Sequence, residues 1–339
     1  MKKNILKVVF VIIGTMVGAG FASGQEVYLF FFTYGIKGII GLLISAFIIG
    51  LVTFQTFQIV DQYGVNTYKD FLDVLIKKKG IVKSTINGII NGFILITFFI
   101  MIAGFGAYFE QELGINSMVG SIFLAIMSFI IFMTSVKGAV KVNELLVPIL
   151  ITFLFVVGIV NLKTLPLGEL KNYTIATNSS NFILSAVLYS SYNSILLIPV
   201  LLTLKNYIQN KKQIFKIAIL STIIILTLSV IVFLLLVKVE VDISKLEMPA
   251  VYAISNQFPI LRYGYGFIIL GSIFTTAISL GTSFLQNVAK NKKNNTQIAI
   301  VICITSVLIS KIGFSNLINT LYPIFGYLGI LQILKLIGI

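Results

Sequence analysis

The chain has 339 residues, of which 58% are hydrophobic and only 11% charged, and its formal net charge is +14. A soluble domain of this length carries about a quarter charged residues, so with a mean hydropathy of +1.03 the composition excludes one and indicates a bilayer protein. Histidine is absent and Cys303 is the single cysteine, which excludes a disulfide framework, a His/Cys metal site and a Cys–His or Ser–His nucleophile.

Apolar runs of about twenty residues recur along the chain, the length that crosses a hydrocarbon core at about 1.5 Å per residue. Ten spans are predicted, at about 5–33, 38–60, 85–109, 117–136, 142–162, 179–203, 214–237, 265–288, 297–312 and 316–335. Met1-Lys2-Lys3 followed by an apolar run outlines a signal peptide. No small-residue cleavage site precedes a soluble domain, so the run reads as a retained first span. Segment 65–79 (VNTYKDFLDVLIKKK) is amphipathic and too charged to cross, and is expected along the surface. Segment 246–260, with Pro249 and Pro259, suits a re-entrant or interfacial helix.

Loop charge sets an orientation. With the N-terminus inside, 18 of the 25 basic residues fall in cytoplasmic segments beside four acids (Asp61, Asp70, Asp73, Glu144). The whole net charge is therefore cytoplasmic, as the positive-inside rule requires, and no nucleic-acid partner is needed to explain it. Both termini are expected in the cytoplasm of a bacterial cell membrane.

The first span contains Gly14-Thr-Met-Val-Gly18-Ala-Gly20-Phe-Ala-Ser-Gly24-Gln-Glu26. Glycine costs about 1 kcal/mol relative to alanine in a helix, and a charge at the bilayer centre about 2.5–3.5 kcal/mol. Close helix packing explains the glycines; unwound backbone lining a polar cavity also explains Ser23, Gln25 and Glu26. The sixth span repeats the theme with Tyr189, Ser190, Ser191, Tyr192 and Asn193, followed by Pro199 and 170 residues beyond Gly20. Two interrupted helices at matching places in two halves point to a transporter site, and five spans per half make the halves inverted.

Such a break frees amides at one half-helix and carbonyls at the other. The amides of Gly18, Ala19, Gly20 and Phe21 can hold a carboxylate. Freed carbonyls with Ser190, Ser191 and Asn193 can hold an ammonium group, so an amino acid is the favoured small-molecule substrate. Phe21, Tyr189 and Tyr192 can wall the pocket, and Tyr108 can gate it. Glu26 serves proton coupling or amine recognition, or else braces the broken helices through hydrogen bonds to Tyr189 or freed amides. Asn87 and Asn91 either line the inner pathway or bond a neighbouring helix.

VGAGFASGQE in the first span, with LYSSYN in the sixth, resembles the YkvI-type bacterial membrane proteins of the amino acid–polyamine–organocation superfamily. The resemblance covers essentially the whole chain. It implies the LeuT fold, an all-α polytopic bundle of ten transmembrane helices in a 5+5 inverted repeat (about 5–162 and 179–335) with helices 1 and 6 broken. It also implies an amino-acid transporter. Sodium-coupled members hold an ion between the helix 1 break and helix 8. The matching groups here are the Gly14 and Val17 carbonyls, the Ser279 carbonyl and the Thr282 and Ser283 hydroxyls. Uncharged oxygens suit Na⁺ better than a divalent metal, while back-bonding serines and threonines are the alternative. Phe21 stands where some relatives build a second sodium site with Asn. Helix 5 carries Lys141 and Lys163 only at its ends, against the mid-helix lysine of proton-coupled relatives. The readings carried forward are Na⁺-coupled symport by alternating access, proton symport through Glu26, and a germinant-receptor-like amino-acid sensor; no catalytic set or other cofactor is expected.

Overall fold

Backbone amides and carbonyls inside hydrocarbon must bond within the protein, which leaves helices as the spanning element. The computed structural model describes residues 2–65, 67–75, 81–162, 181–237, 239, 243, 246, 248–255, 259–289 and 291–338, and among these no strand occurs. The first span is built from α1 (Lys2–Met16), α2 (Ala19–Ala22) and α3 (Gln25–Phe30). Then come α4 (Ile36–Tyr63), the short α5 (Tyr68–Leu75), α6 (Ile81–Leu113), α7 (Ser117–Met133) and α8 (Ser135–Leu162). The second half runs α9 (Phe182–Thr203), α10 (Lys211–Leu236), the short α11 (Pro249–Ser255), α12 (Pro259–Val288), α13 (Lys292–Ile309) and α14 (Phe314–Ile337). Eight helices are long and apolar enough to cross a membrane, and the shorter apolar helices Asn4–Met16 and Ser117–Met133 supply the first and fourth spans. Lys77, Lys78, Lys79, Lys163, Lys171, Lys238, Lys245 and Lys290, counted in the charge balance, lie outside the described residues.

The two halves share one order of elements: long, short, long, medium, long after the first span of each. Packing follows the same exchange. α1 lies on α8 as α9 lies on α14; α10 lies on α1 as α4 lies on α9; α12 lies on α8 as α6 lies on α14. The ten-span bundle with its 5+5 inverted repeat is thus present, with one difference. The sixth span is a single helix, Phe182–Thr203. Its polar cluster folds back on itself: Ser190, Asn193 and Ser194 donate to the carbonyls of Ala186, Tyr189 and Ser190, one turn earlier, at 2.7, 3.0 and 2.6 Å. Back-bonding of this kind satisfies buried polar side chains without opening the helix.

Both short helices match their sequence signals. α5 opens on a reciprocal capping box, the Thr67 amide donating to Asp70 (2.9 Å) and the Asp70 amide to Thr67 Oγ1 (3.1 Å). Its apolar face, Tyr68, Phe71, Leu72 and Leu75, is buried against the bundle, while Lys69 and Asp73 are exposed. α11 is too short to span, and Ala250, Val251, Ala253 and Ile254 are buried between α10 and α12.

Lipid tails are as apolar as leucine, so spans associate through close packing. α14 reaches α9 through Gly326 and Gly329: a Cβ on Gly329 would fall 2.4 Å from the Ser191 carbonyl oxygen. Gly329→Ala should therefore lower stability by roughly 1–3 kcal/mol. Gly271→Ala, where a Cβ meets nothing within 4 Å, should be neutral or stabilising. Thermal unfolding in detergent compares them; equal melting temperatures would refute the packing account.

Candidate substrate and cation sites

The first span opens at two points. α1 ends at Met16, and Gly18 is extended (φ −88°, ψ −166°) before α2. Gly24 then adopts φ +86°, a left-handed conformation that glycine alone takes without strain, before α3. Gly18, Ala19, Gly20 and Phe21 stand at the start of α2, so their amides have no acceptor one turn back in the helix. All four residues are buried.

Glu26 closes over this opening. Its side chain lies directly on Gly20, where a Cβ would fall 2.4 Å from Oε1 and 2.8 Å from Cγ. Its Oε2 accepts a hydrogen bond from the Tyr192 hydroxyl. Glu26 is 4% exposed, so the carboxylate is held in the bundle between α3 and α9. Tyr192, rather than Tyr189, is the bracing partner. Tyr189 and Tyr192 meet edge to face at 5.4 Å, Phe31 packs on Tyr189 at 4.8 Å, and Phe30 touches both. Tyr322 of α14 stacks on Tyr192 at 4.6 Å, and Tyr189 is buried beside them. An aromatic cluster thus packs around one carboxylate.

Not every expected residue reaches this centre. The Ser190 hydroxyl also contacts the Ser45 carbonyl of α4 at 3.3 Å, and Ser191 packs against Gly329 of α14. Both serve helix packing, because an unbroken α9 turns them away from the face that carries Tyr189, Tyr192 and Asn193. Ser23 donates to the Gly20 carbonyl at 3.2 Å, inside the broken segment. Tyr108 is buried with its hydroxyl against Gly266 of α12, and Asn91 accepts from Asn287 at 3.2 Å, joining α6 to α12. The side chain of Asn87 lies outside the described residues.

The carbonyl end of α1 meets α12. Thr276 Oγ1 donates to the Gly14 carbonyl at 2.7 Å and Thr275 approaches it at 3.3 Å. The Ser279 hydroxyl donates to the Thr275 carbonyl at 2.8 Å, and the Ser279 carbonyl lies within continuous α12. Thr282 Oγ1 and Ser283 Oγ, one turn on along the same face, are buried with no hydrogen-bond partner among the described residues. Val17, the first residue past α1, is fully buried.

Asn143 of α8 completes the junction and was not singled out by sequence. Its Nδ2 donates to the Ala139 carbonyl (2.9 Å) and Ser279 Oγ (3.2 Å), while its Oδ1 is buried without a donor among the described residues. That oxygen sits on Gly14, where a Cβ would fall 1.9 Å away. The only sequence signal for it was an amide within an apolar run. Tyr322, in LYP near the middle of the last span, was equally silent.

A bundle of this topology, with its first span opened at the centre, has the LeuT-type fold of helical membrane transporters. The chain superposes on a Na⁺-coupled sialic acid symporter in a substrate-bound outward-open state, with a TM-score of 0.64, 97% of this chain and 77% of that one covered, at 11% identity. It also superposes on MhsT in complex with L-phenylalanine, with a TM-score of 0.57, 90% and 78% coverage, at 15% identity. At these identities the likeness is one of fold. By sequence the chain belongs to the family of the membrane protein YkvI of Bacillus subtilis strain 168: it is 30% identical to YkvI over 338 residues, covering 97% of this chain and 94% of YkvI. It is also similar to YyaD of the same organism, 25% identical over 328 residues, covering 96% of this chain and 94% of YyaD. No family model matches the chain.

The Glu26–Tyr192 contact makes a direct test of the site's construction. A hydrogen bond to a charged group contributes about 1.5–3 kcal/mol, and Tyr192→Phe removes the donor while keeping the ring stack. In a double-mutant cycle with Glu26→Gln, the coupling is expected to exceed about 1 kcal/mol, read from melting shifts in detergent. Additive effects would show that the two side chains do not act together.

Proposed function

We propose that the chain is a secondary active transporter of small amino acids, or of related small carboxylate or amine solutes, coupled to Na⁺ and working by alternating access. It is a single transmembrane domain of two inverted halves, about 5–162 and 179–335, in a bacterial cytoplasmic membrane with both termini cytoplasmic. The amides of Gly18–Phe21 would receive a carboxylate, and the face of α9 carrying Tyr189, Tyr192 and Asn193, with Phe30 and Tyr322, would wall the side chain. Glu26 lies close enough to the break to order it or to meet an amine.

The observation that carries the sodium reading is a set of three buried oxygens with no donor among the described residues: Asn143 Oδ1, which sits on Gly14, and Thr282 Oγ1 and Ser283 Oγ, one turn along α12 from the Ser279 that Asn143 contacts. A buried polar atom left unpaired costs about 1–3 kcal/mol. A hard monovalent cation fits a set of uncharged oxygens, and with it Asn143 joins Gly14, Val17, Ser279, Thr282 and Ser283 as a candidate ligand. When bound, Na⁺ would supply the downhill gradient and a positive charge at the negative end of α1. The Na⁺-coupled sialic acid symporter that shares the fold supports the same reading.

Uptake of a mixed amino-acid panel into proteoliposomes, under separately imposed Na⁺ and H⁺ gradients, tests this. Uptake should follow the Na⁺ gradient. Ser283→Ala and Asn143→Ala should each raise the Na⁺ concentration for half-maximal uptake about ten-fold, which is 1.4 kcal/mol. Sodium-independent uptake with both variants silent would remove the ion site.

One observation favours a second reading: Glu26 is an acid buried at mid-span with a tyrosine hydroxyl, not a cation, on it. If it carries a coupled proton, Glu26→Gln should abolish uptake driven by a pH gradient, and undiminished uptake in that variant would end the idea. Solute binding without counterflow would point instead to a sensor.

A further inference from the structure

A separate chamber of about 490 Å³ lies between α5, α6, α9 and α14, near the end of the bundle that holds the C-terminus. Its walls are apolar, among them Leu72, Ile90, Phe93, Ile195 and Phe325. Two polar side chains of α14 interrupt this lining, Gln332 and Lys335. They are three residues apart and so share a helix face. Gln332 is 9% exposed; its amide nitrogen donates to the Tyr68 hydroxyl at 3.0 Å, and its Oε1 is buried with no donor among the described residues. Lys335 is exposed and forms no ion pair with a described residue. The rim includes Ile89, Leu331 and Leu334, which are 45, 68 and 64% exposed and face outward from the bundle, where lipid chains lie.

We propose that this chamber binds phosphatidylglycerol from the leaflet next to the chain termini. The occupant must be apolar over most of its length, because the walls are. From Phe325 to Lys335 is ten residues, about 15 Å along the helix, which suits an acyl chain lying parallel to α14. Lys335, at the membrane edge, calls for an anion. Gln332, one turn deeper, has an acceptor oxygen that calls for a hydroxyl or amine donor. A glycerol head on a phosphate supplies both. A choline head has no donor, an ethanolamine head sets a second cation beside Lys335, and an ionised fatty acid has an anion but no donor for Gln332. Because Ile195 lies two residues beyond Asn193 on α9, the bound chain would touch the helix that carries Tyr189 and Tyr192.

The chain has no tryptophan, so Phe325→Trp places a single fluorophore in the chamber. The variant is reconstituted in phosphatidylcholine vesicles containing small amounts of brominated-chain phosphatidylglycerol, brominated phosphatidylcholine or brominated fatty acid. Phosphatidylglycerol should reach half-quenching at about five-fold lower mole fraction than brominated phosphatidylcholine, the effect of one lysine at an anionic surface. Adding Lys335→Gln should remove that preference, and adding Gln332→Leu should reduce it. Phe47→Trp, on the lipid-facing side of α4, should show no preference. Equal quenching by the two phospholipids, a preference unchanged by Lys335→Gln, an equal preference at position 47, or stronger quenching by the fatty acid would each overturn the proposal. The Lys335→Gln comparison stands even if Gln332→Leu does not fold.

Discussion

Hydrocarbon offers no hydrogen bonds, so a span that opens its helix must find every partner inside the protein. The stretch from Met16 to Gln25 sets that problem, and much of the surrounding architecture answers it. Thr276 and Thr275 come in from α12 to the Gly14 carbonyl. Tyr265, also of α12, donates to the Ala22 carbonyl at 2.7 Å. The Ala250 amide of α11 donates to the Ser23 carbonyl at 2.9 Å, and the Gln25 side chain reaches the Leu246 carbonyl. The eighth span and the short helix before it thus hold the break in shape.

How far the sequence revealed this differs by residue. The spans were legible because length and hydropathy are local quantities, and α5 and α11 because charge, proline and shortness are local too. The first break was legible because four glycines sit among polar residues. The sixth span carried a similar polar cluster, and reading it as a second break failed for a physical reason: Phe182–Thr203 contains no glycine. Serine and asparagine can return their hydrogen bonds to their own helix, so polarity alone does not open one. Asn143, 129 residues beyond Gly14, and Tyr322, 130 beyond Tyr192, gain their meaning only from tertiary contact. No periodicity within a span announces either.

Two ion pairs join long helices among the described residues. Lys7 of α1 meets Glu144 of α8 at 3.0 Å, and Arg262 of α12 meets Glu112 of α6 at 2.8 Å. Each pair has a partly exposed member, and pairs of that kind contribute about 0–1 kcal/mol. Parting either one costs little compared with unpacking α9 from α4 and α14. The helices are therefore held together by their packing far more than by these charges.

The α11 bond to Ser23 joins segments 227 residues apart in the chain. Shifting α11 strips a donor from a carbonyl that lies deep in the protein, and leaving such an oxygen bare costs about 1–3 kcal/mol. The short helix and the break are therefore tied as a pair, and a displacement of either is felt at the other.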